Sequence, residues 1–472
     1  MLTDDVLLEI FHFYRRNHEL EVENYRDTDI VWKWHILVHV YRRWRRIIFG
    51  SPLHLNLRIL CTHGTPVRKS LNIWPTFPIV IEYGRPRNMC YRGLEPIDED
   101  NVIAALEHPS RVCEVMLNVT GAQLGRIATV MRQPFPVLTH FVLRSKDGNV
   151  PVFPGEFLGR SAPCLQQLNL EHIPFPELPI LLPSASDLIT LQLYNIPQTG
   201  YISPEAMVAG LATLTRLQNL DIRFRSPNSR PDQILLPPTT RTVLPALTFF
   251  HFHGVCEYLE HFAARIDAPL LNLIEIEYMN ELVDFEVPQL SRIINHSEAL
   301  ERPLHCLIVF AETGTSFRAI SAEFNDIDCP PYVDVCILCE KIDWQLPSLT
   351  NVLSQISAIL SNTTVLTIES HHPIPDTPKP DDLDIDDADI EWLQLLSLFS
   401  SVLTLNVCVF YSGHISRTLE GIAGMMATEV LPALHTLYLT GQSVSSVEKF
   451  IAARRDSDRP VTTFNGKTES GE

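Results

Sequence analysis

The feature of this chain that most constrains its fold is a six-residue frame, apolar-x-x-apolar-x-apolar, that recurs twelve times. The frames begin at Val112, Leu138, Leu165, Leu188, Leu217, Leu247, Leu271, Leu304, Tyr332, Thr363, Val402 and Leu434, at separations of 23 to 39 residues. LQQLNL at Leu165, LQNLDI at Leu217 and LHTLYL at Leu434 show it most cleanly. Side chains alternate across a strand, so the last two apolar positions share one face and the residue between them takes the other. Five frames are preceded by a proline and one spacer (Pro136, Pro163, Pro245, Pro269, Pro432), which points to one stiff corner repeated at the start of each strand. Segments of helical period stand between the frames, among them PEAMVAGLATLTR, CEYLEHFAARID, VPQLSRIINHSEAL and EWLQLLSLFSSV.

A short strand alternating with a helix at this cadence is the pattern of a leucine-rich-repeat solenoid, in which each repeat buries its apolar face only against its neighbours. The expected class is therefore α/β: a small all-α N-terminal part, then an irregular solenoid of short parallel strands alternating with helices. The boundaries read as 1–50 for the N-terminal helices, 51–110 for a linker and N-terminal cap, and 111–472 for the solenoid, with a Pro/acidic loop at 373–389. Residues 300–400 are the least regular and could leave the stack. The outward residue of each central frame forms a column, Asn169, Gln192, Asp221, His251 and Glu275, flanked by Glu171, Tyr194, Arg223, His253 and Glu277. At the ends the column is expected to run through Met116, Val142, Ile308 and Cys336. A polar column, acidic on balance, suits a basic protein segment. Three residues past the last strand position stand Ile173, Ile196, Val255 and Met279, where repeats of this kind usually carry Asn or Cys, so apolar packing must hold these turns.

The first fifty residues differ. LTDDVLLEIFHFYRR opens with Thr3 as a helix cap and Asp4 and Asp5 in the first turn, and Val6, Leu7, Ile10, Phe11 and Tyr14 recur at three and four residues. WKWHILVHVYRRWRRIIFG keeps helical spacing too, and Gly50 and Pro52 close the unit. A helix of about three turns cannot stand alone in water, so this apolar face must be covered by the chain or by another protein.

LTDDVLLEIF followed by WHILVHVYRRWRRIIF resembles an F-box. SPLHLNLRILCTHGTPVRKSLNIWPTFPIVIEYG resembles the segment that follows it in a large group of basidiomycete-type fungal proteins with divergent leucine-rich repeats. The resemblance covers residues 1 to about 84 and the repeats only in pattern. Thr3 departs from the usual Pro, Tyr41 from the usual Cys, and Glu19 to Asp29 form a longer acidic insertion. The resemblance implies a substrate-receptor subunit of an SCF-type cullin-RING ubiquitin ligase, whose F-box binds a Skp-type adaptor and through it a cullin, while the repeats bind a protein substrate. The matching adaptor positions are Leu2, Val6, Leu7, Ile10, Phe11, Leu37, Val40 and Trp44. The alternative is a non-catalytic repeat scaffold whose F-box is vestigial or works without ubiquitin transfer.

A formal net charge of −19 argues against nucleic-acid or anionic-membrane partners, which need a basic surface. No apolar stretch reaches the ~18 residues of a membrane span, and no basic-then-apolar leader is present, so the expected location is intracellular, cytoplasmic or nuclear. Ten scattered cysteines fit a reducing compartment. Cys336 and Cys339, three apart, fall on opposite strand faces and so do not share a metal. His251 and His253 share a face without a third ligand. Asp382, Asp384 and Asp386 start like a calcium loop, yet Asp387 and Leu393 stand where Gly and Glu are needed. No GxSxG, P-loop, GxGxxG or HExxH occurs. The chain therefore reads as a non-enzyme without cofactor or metal.

Overall fold

The computed structural model describes residues 2–20, 33–50, 57–63, 67–73, 76–83, 95–147, 150–226, 240–279, 286–296, 302–311, 313–321, 330–339, 341–370, 385–422, 425–440 and 444–464. They fall into two compact units, Met1–Leu188 and Ile189–Glu472. In each a mostly parallel sheet alternates with helices, as in a solenoid-like α/β fold. Among the described residues no helix is long and apolar enough to cross a membrane.

The first unit opens with three helices, α1 (Asp4–Leu20), α2 (Lys33–Val40) and α3 (Arg42–Gly50). Thr3 caps α1 as its position suggests: its hydroxyl accepts from the Val6 N–H at 3.4 Å and its carbonyl from the Leu7 N–H at 3.2 Å. The second apolar run breaks at Tyr41 into two helices. Arg43 ties α3 to the start of α1, donating to the Asp4 carboxylate at 2.6 and 2.9 Å and to the Leu2 carbonyl at 2.7 Å. The chain continues through β1 (Ile59–Cys61), α4 (Val67–Ile73), β2 (Ile79–Tyr83), α5 (Pro96–Leu106), β3 (Val112–Val119), α6 (Gly121–Val130), β4 (His140–Ser145), β5 (Gln167–Glu171) and α7 (Leu178–Leu181). All five strands pair in parallel in chain order. The sheet thus begins at Ile59, inside the stretch read as linker and cap. The reason is that Ile59–Cys61 and Ile79–Ile81 are uninterrupted apolar runs, and the frame was not needed to make them strands.

The second unit contains β6 (Thr190–Ile196), α8 (Pro204–Leu211), β7 (Asn219–Phe224), β8 (Thr242–Val243), β9 (Phe249–Gly254), α9 (Cys256–Ala263), β10 (Ile266–Asp267), β11 (Leu273–Tyr278), α10 (Pro288–Asn295) and β12 (Leu304–Ala311). There follow β13 (Gly314–Ser321), β14 (Tyr332–Leu338), α11 (Gln345–Ser354), α12 (Ser357–Asn362), β15 (Thr363–Ser370), α13 (Ile385–Ser397), β16 (Thr404–Val407), α14 (Val409–Gly421), β17 (Thr436–Leu439), α15 (Glu448–Asp456) and β18 (Thr462–Phe464). Of the loop expected at 373–389, residues up to 384 lie outside the described residues, and the rest belongs to α13.

One local device starts the strands. The N–H of the first frame residue donates to the carbonyl three residues earlier at Leu138, Leu165, Leu188, Leu217, Leu247, Leu271 and Leu434, over 3.0 to 3.3 Å. The five frame prolines occupy the second position of this turn, where their fixed φ is already correct. The three apolar residues of each central frame are then fully buried; Leu217, Leu220 and Ile222 are all 0 % exposed. Ile173, Ile196, Val255 and Met279 are buried as well, so apolar packing replaces a polar ladder at the turns.

Strand order departs from chain order once. The sequence of neighbours is β6-β7-β9-β11-β14-β13-β12-β15-β16-β17-β18. After β11 the chain passes two strand positions, lays down β12, turns back through antiparallel β13, and returns with β14 parallel to β11. Gly314 permits the close passage: a Cβ there would lie 2.5 Å from the Ile337 carbonyl oxygen. Among the helices α8 packs against α9, α9 against α10 and α10 against α12, while α11, which covers β13, packs between α12 and α13.

Candidate functional site

The register brings most of the expected column together. In the second unit Gln192, Asp221, His251 and Glu275 are cross-strand partners in one line, and Arg223, His253 and Glu277 form the next. Asn169 belongs to β5 of the first unit, where it pairs with Val142, and Val142 with Met116. Tyr194 lies at a register shift of β6, yet its ring carries the Arg223 guanidinium 4.6 Å from its centroid.

Two expected end positions need correction. Ile308 points into the core, 0 % exposed, and Leu307 takes the column place beside Thr367. The frame at Leu304 is one residue out of phase, because β12 runs Leu304, Cys306, Ile308 along its inner face. Cys336 pairs with Glu277 in the flanking line, and Asp334 is the true neighbour of Glu275. Arg318 of β13 then faces Asp334. Asp334 and Arg318 were missed because a parallel stack in chain order has no place for β13; the alternation of GTSFRAIS was the available signal.

The column is not a solvated stripe. Asp221 is 2 % exposed and His251 8 %, covered by their long neighbours. Arg223 binds both oxygens of Asp221 at 2.8 Å, which raises its own pKa above the ordinary arginine value. Arg318 donates through Nε and one terminal nitrogen to a single oxygen of the Asp334 carboxylate. Burial pushes the Asp334 carboxyl up and the His251 and His253 imidazoles down, so both rings favour the neutral form. His251 Nδ1 stands 2.9 Å from a Glu275 oxygen and 3.9 Å from Asp221, without the angle for a hydrogen bond. Tyr332 donates its hydroxyl to Glu275. Among the described residues no group of three or more His, Cys, Asp or Glu side chains is placed to hold a metal ion.

On α1 the apolar side chains divide into two faces. Leu7 and Phe11 are sealed inside the chain, at 5 % and 2 % exposure, and Phe11 meets the half-buried Trp44 edge-on at 5.1 Å. Leu37 is half-buried also. Leu7 and Phe11 are therefore internal packing residues, a correction to their place among docking side chains, since α1 lies on α2 and α3 along that face. Leu2, Val6, Ile10 and Phe13 repeat along the other face and are 43 to 64 % exposed, with Val40 and Tyr41 at 57 % each. Phe13 and Tyr41 lie outside the positions that the F-box resemblance marks as contacts. No family model matches this chain, and no curated protein matches it in sequence.

Proposed function

We propose that this chain is the substrate-receptor subunit of an SCF-type ubiquitin ligase, its N-terminal helices an F-box docked on a Skp-type adaptor and its repeats the client-binding surface. The observation that supports this is the bare stripe Leu2, Val6, Ile10, Phe13, Val40 and Tyr41, beside an inner face already satisfied by Phe11 and Trp44. A row of large apolar side chains left in water on a helix that needs no further core marks a protein contact. The chain itself supplies no chemistry in this reading. It holds a client lysine near a ubiquitin-charged enzyme and acts through effective concentration. The reading places it inside the cell, in cytosol or nucleus, with no cofactor.

The test follows from the division of faces. Val6→Asp with Ile10→Asp alters only exposed positions, so the helices should keep their circular dichroism while co-purification of a Skp-type adaptor is lost. Leu7→Ala or Phe11→Ala should instead cost about 3 kcal/mol of stability by leaving a cavity. Full adaptor capture by the Val6/Ile10 variant removes the docking face and favours a scaffold with a vestigial F-box.

A further inference from the structure

The outward face of the second unit changes character along its length. At β11 stand Glu275 and Glu277, two residues apart on one face, their side chains 31 % and 34 % exposed. Arg223 and Arg318 are held by Asp221 and Asp334, and among the described residues no lysine or arginine reaches Glu275 or Glu277 at ion-pair distance. His251, its side chain nine-tenths buried, lies between Asp221 and Glu275 with an Nδ1 that makes no hydrogen bond. His253 Nε2 is buried and equally unbonded. Tyr332 donates to one Glu275 oxygen, and among the described residues no lysine or arginine meets the other oxygen or Glu277, so an ammonium or guanidinium group placed over this edge completes the carboxylates.

The same column runs on through Leu307, Thr367 and Asn406 to Tyr438 and Phe464, in continuous register. Tyr438 and Phe464 stack at 5.0 Å with ring planes 17° apart and are 36 % and 46 % exposed, an aromatic platform facing solvent. From β11 to β17 there are six strand spacings. At about 4.8 Å each that is about 29 Å, the reach of about nine extended residues.

We propose that this face receives an extended client segment with a lysine or arginine pair at one end, seated on Glu275, Glu277 and His251, and an aromatic, proline or aliphatic residue about nine positions away, seated on Tyr438 and Phe464. The assignment rests on reading the repeats as the client surface and names the class of client. Charge complementarity fixes the basic end and the stacked pair fixes the apolar end.

A display library of random peptides, about fifteen residues long so as to exceed the span, selected on the purified full-length chain, tests it. The expected winners carry a basic pair and an apolar residue at that separation. Their consensus peptide, followed by fluorescence anisotropy, loses at least tenfold in affinity with Glu275→Gln/Glu277→Gln and with Tyr438→Ala/Phe464→Ala. Added salt weakens binding to the wild-type chain and to the aromatic variant, and much less to the Glu variant. Selection of acidic or unpatterned peptides, selection of none, or unchanged affinity in either double variant overturns the proposal. Adaptor capture reads only the N-terminal helices, so a failed selection with capture intact sinks the client class and leaves the docking face standing.

Discussion

The run β6-β7-β9-β11 and the meander β12-β13-β14 belong to one sheet yet are organised differently. In the run each strand starts from the same tight turn, and Leu188, Leu217, Leu247 and Leu271 occupy the same place in it. Each strand can then only continue beside the previous one. At β14 the Tyr332 N–H donates to the Asn272 carbonyl of the β11 edge, and the strand has come back from two positions away. The difference teaches that local turns set order only where they recur; elsewhere the free edge of β11 chooses its neighbour by packing. Repeats in the run depend on their nearest neighbours, whereas the meander depends on contacts distant in sequence.

The largest test of this contrast is Phe252→Ala against Phe317→Ala. Both rings are 0 % exposed, and each cavity should cost about 3–5 kcal/mol. Hydrogen exchange should rise only in β7, β9 and β11 for the first, and together in β12, β13, β14 and β15 for the second. Equal spread in both variants would erase the distinction.

Next in size is the helix layer, where a carboxylate of one helix caps the next. Glu260 of α9 accepts from the Gln289 and Leu290 N–H groups at 2.7 and 3.0 Å, capping α10 from the preceding repeat. Glu420 caps α15 likewise through the Lys449 N–H at 2.8 Å. Burial outweighs the two bonds and pushes the Glu260 carboxyl up to about 7. A raised carboxyl binds its proton more tightly when folded, so its contribution is full below the ordinary value and is lost as pH climbs through about 7. That loss is on the order of 3 kcal/mol. Urea midpoints from pH 4 to 8 should fall with rising pH, and Glu260→Gln should flatten that slope; an unchanged slope would mean the cap is not the titrating group.

Smaller effects follow at the turns. Gly314→Ala presses a methyl group against the Ile337 carbonyl and should cost about 1–3 kcal/mol, read as a lower Tm of the meander. Pro245→Ala keeps the Leu247-to-Leu244 turn and removes only stiffness, so about 0.4–1 kcal/mol should be lost in urea titration. A loss as large as that of Gly314→Ala would show that the ring packs.

Much of this was legible beforehand. In the run β6 to β11 the strand positions, their inner faces, the proline turns and the central line Gln192, Asp221, His251, Glu275 follow from period-two alternation and turn chemistry, whereas the phase of β12 and the presence of β13 did not. The apolar character of α1 was legible as well, and which of its two faces the chain covers was not: Leu7 and Val6 are equally apolar neighbours, and only the position of α3 separates them.

Alternation and turns are local properties, carried by residues within a few positions of one another, and where the turn recurs the sequence alone therefore determined which segments are strands and which side chains share a face. The neighbour of β11 is a choice among edges far apart in the chain, decided by loop closure and packing. Only the tertiary structure could set Asp334 beside Glu275 and Arg318 beyond it, and leave Tyr438 and Phe464 at the far end of the same line.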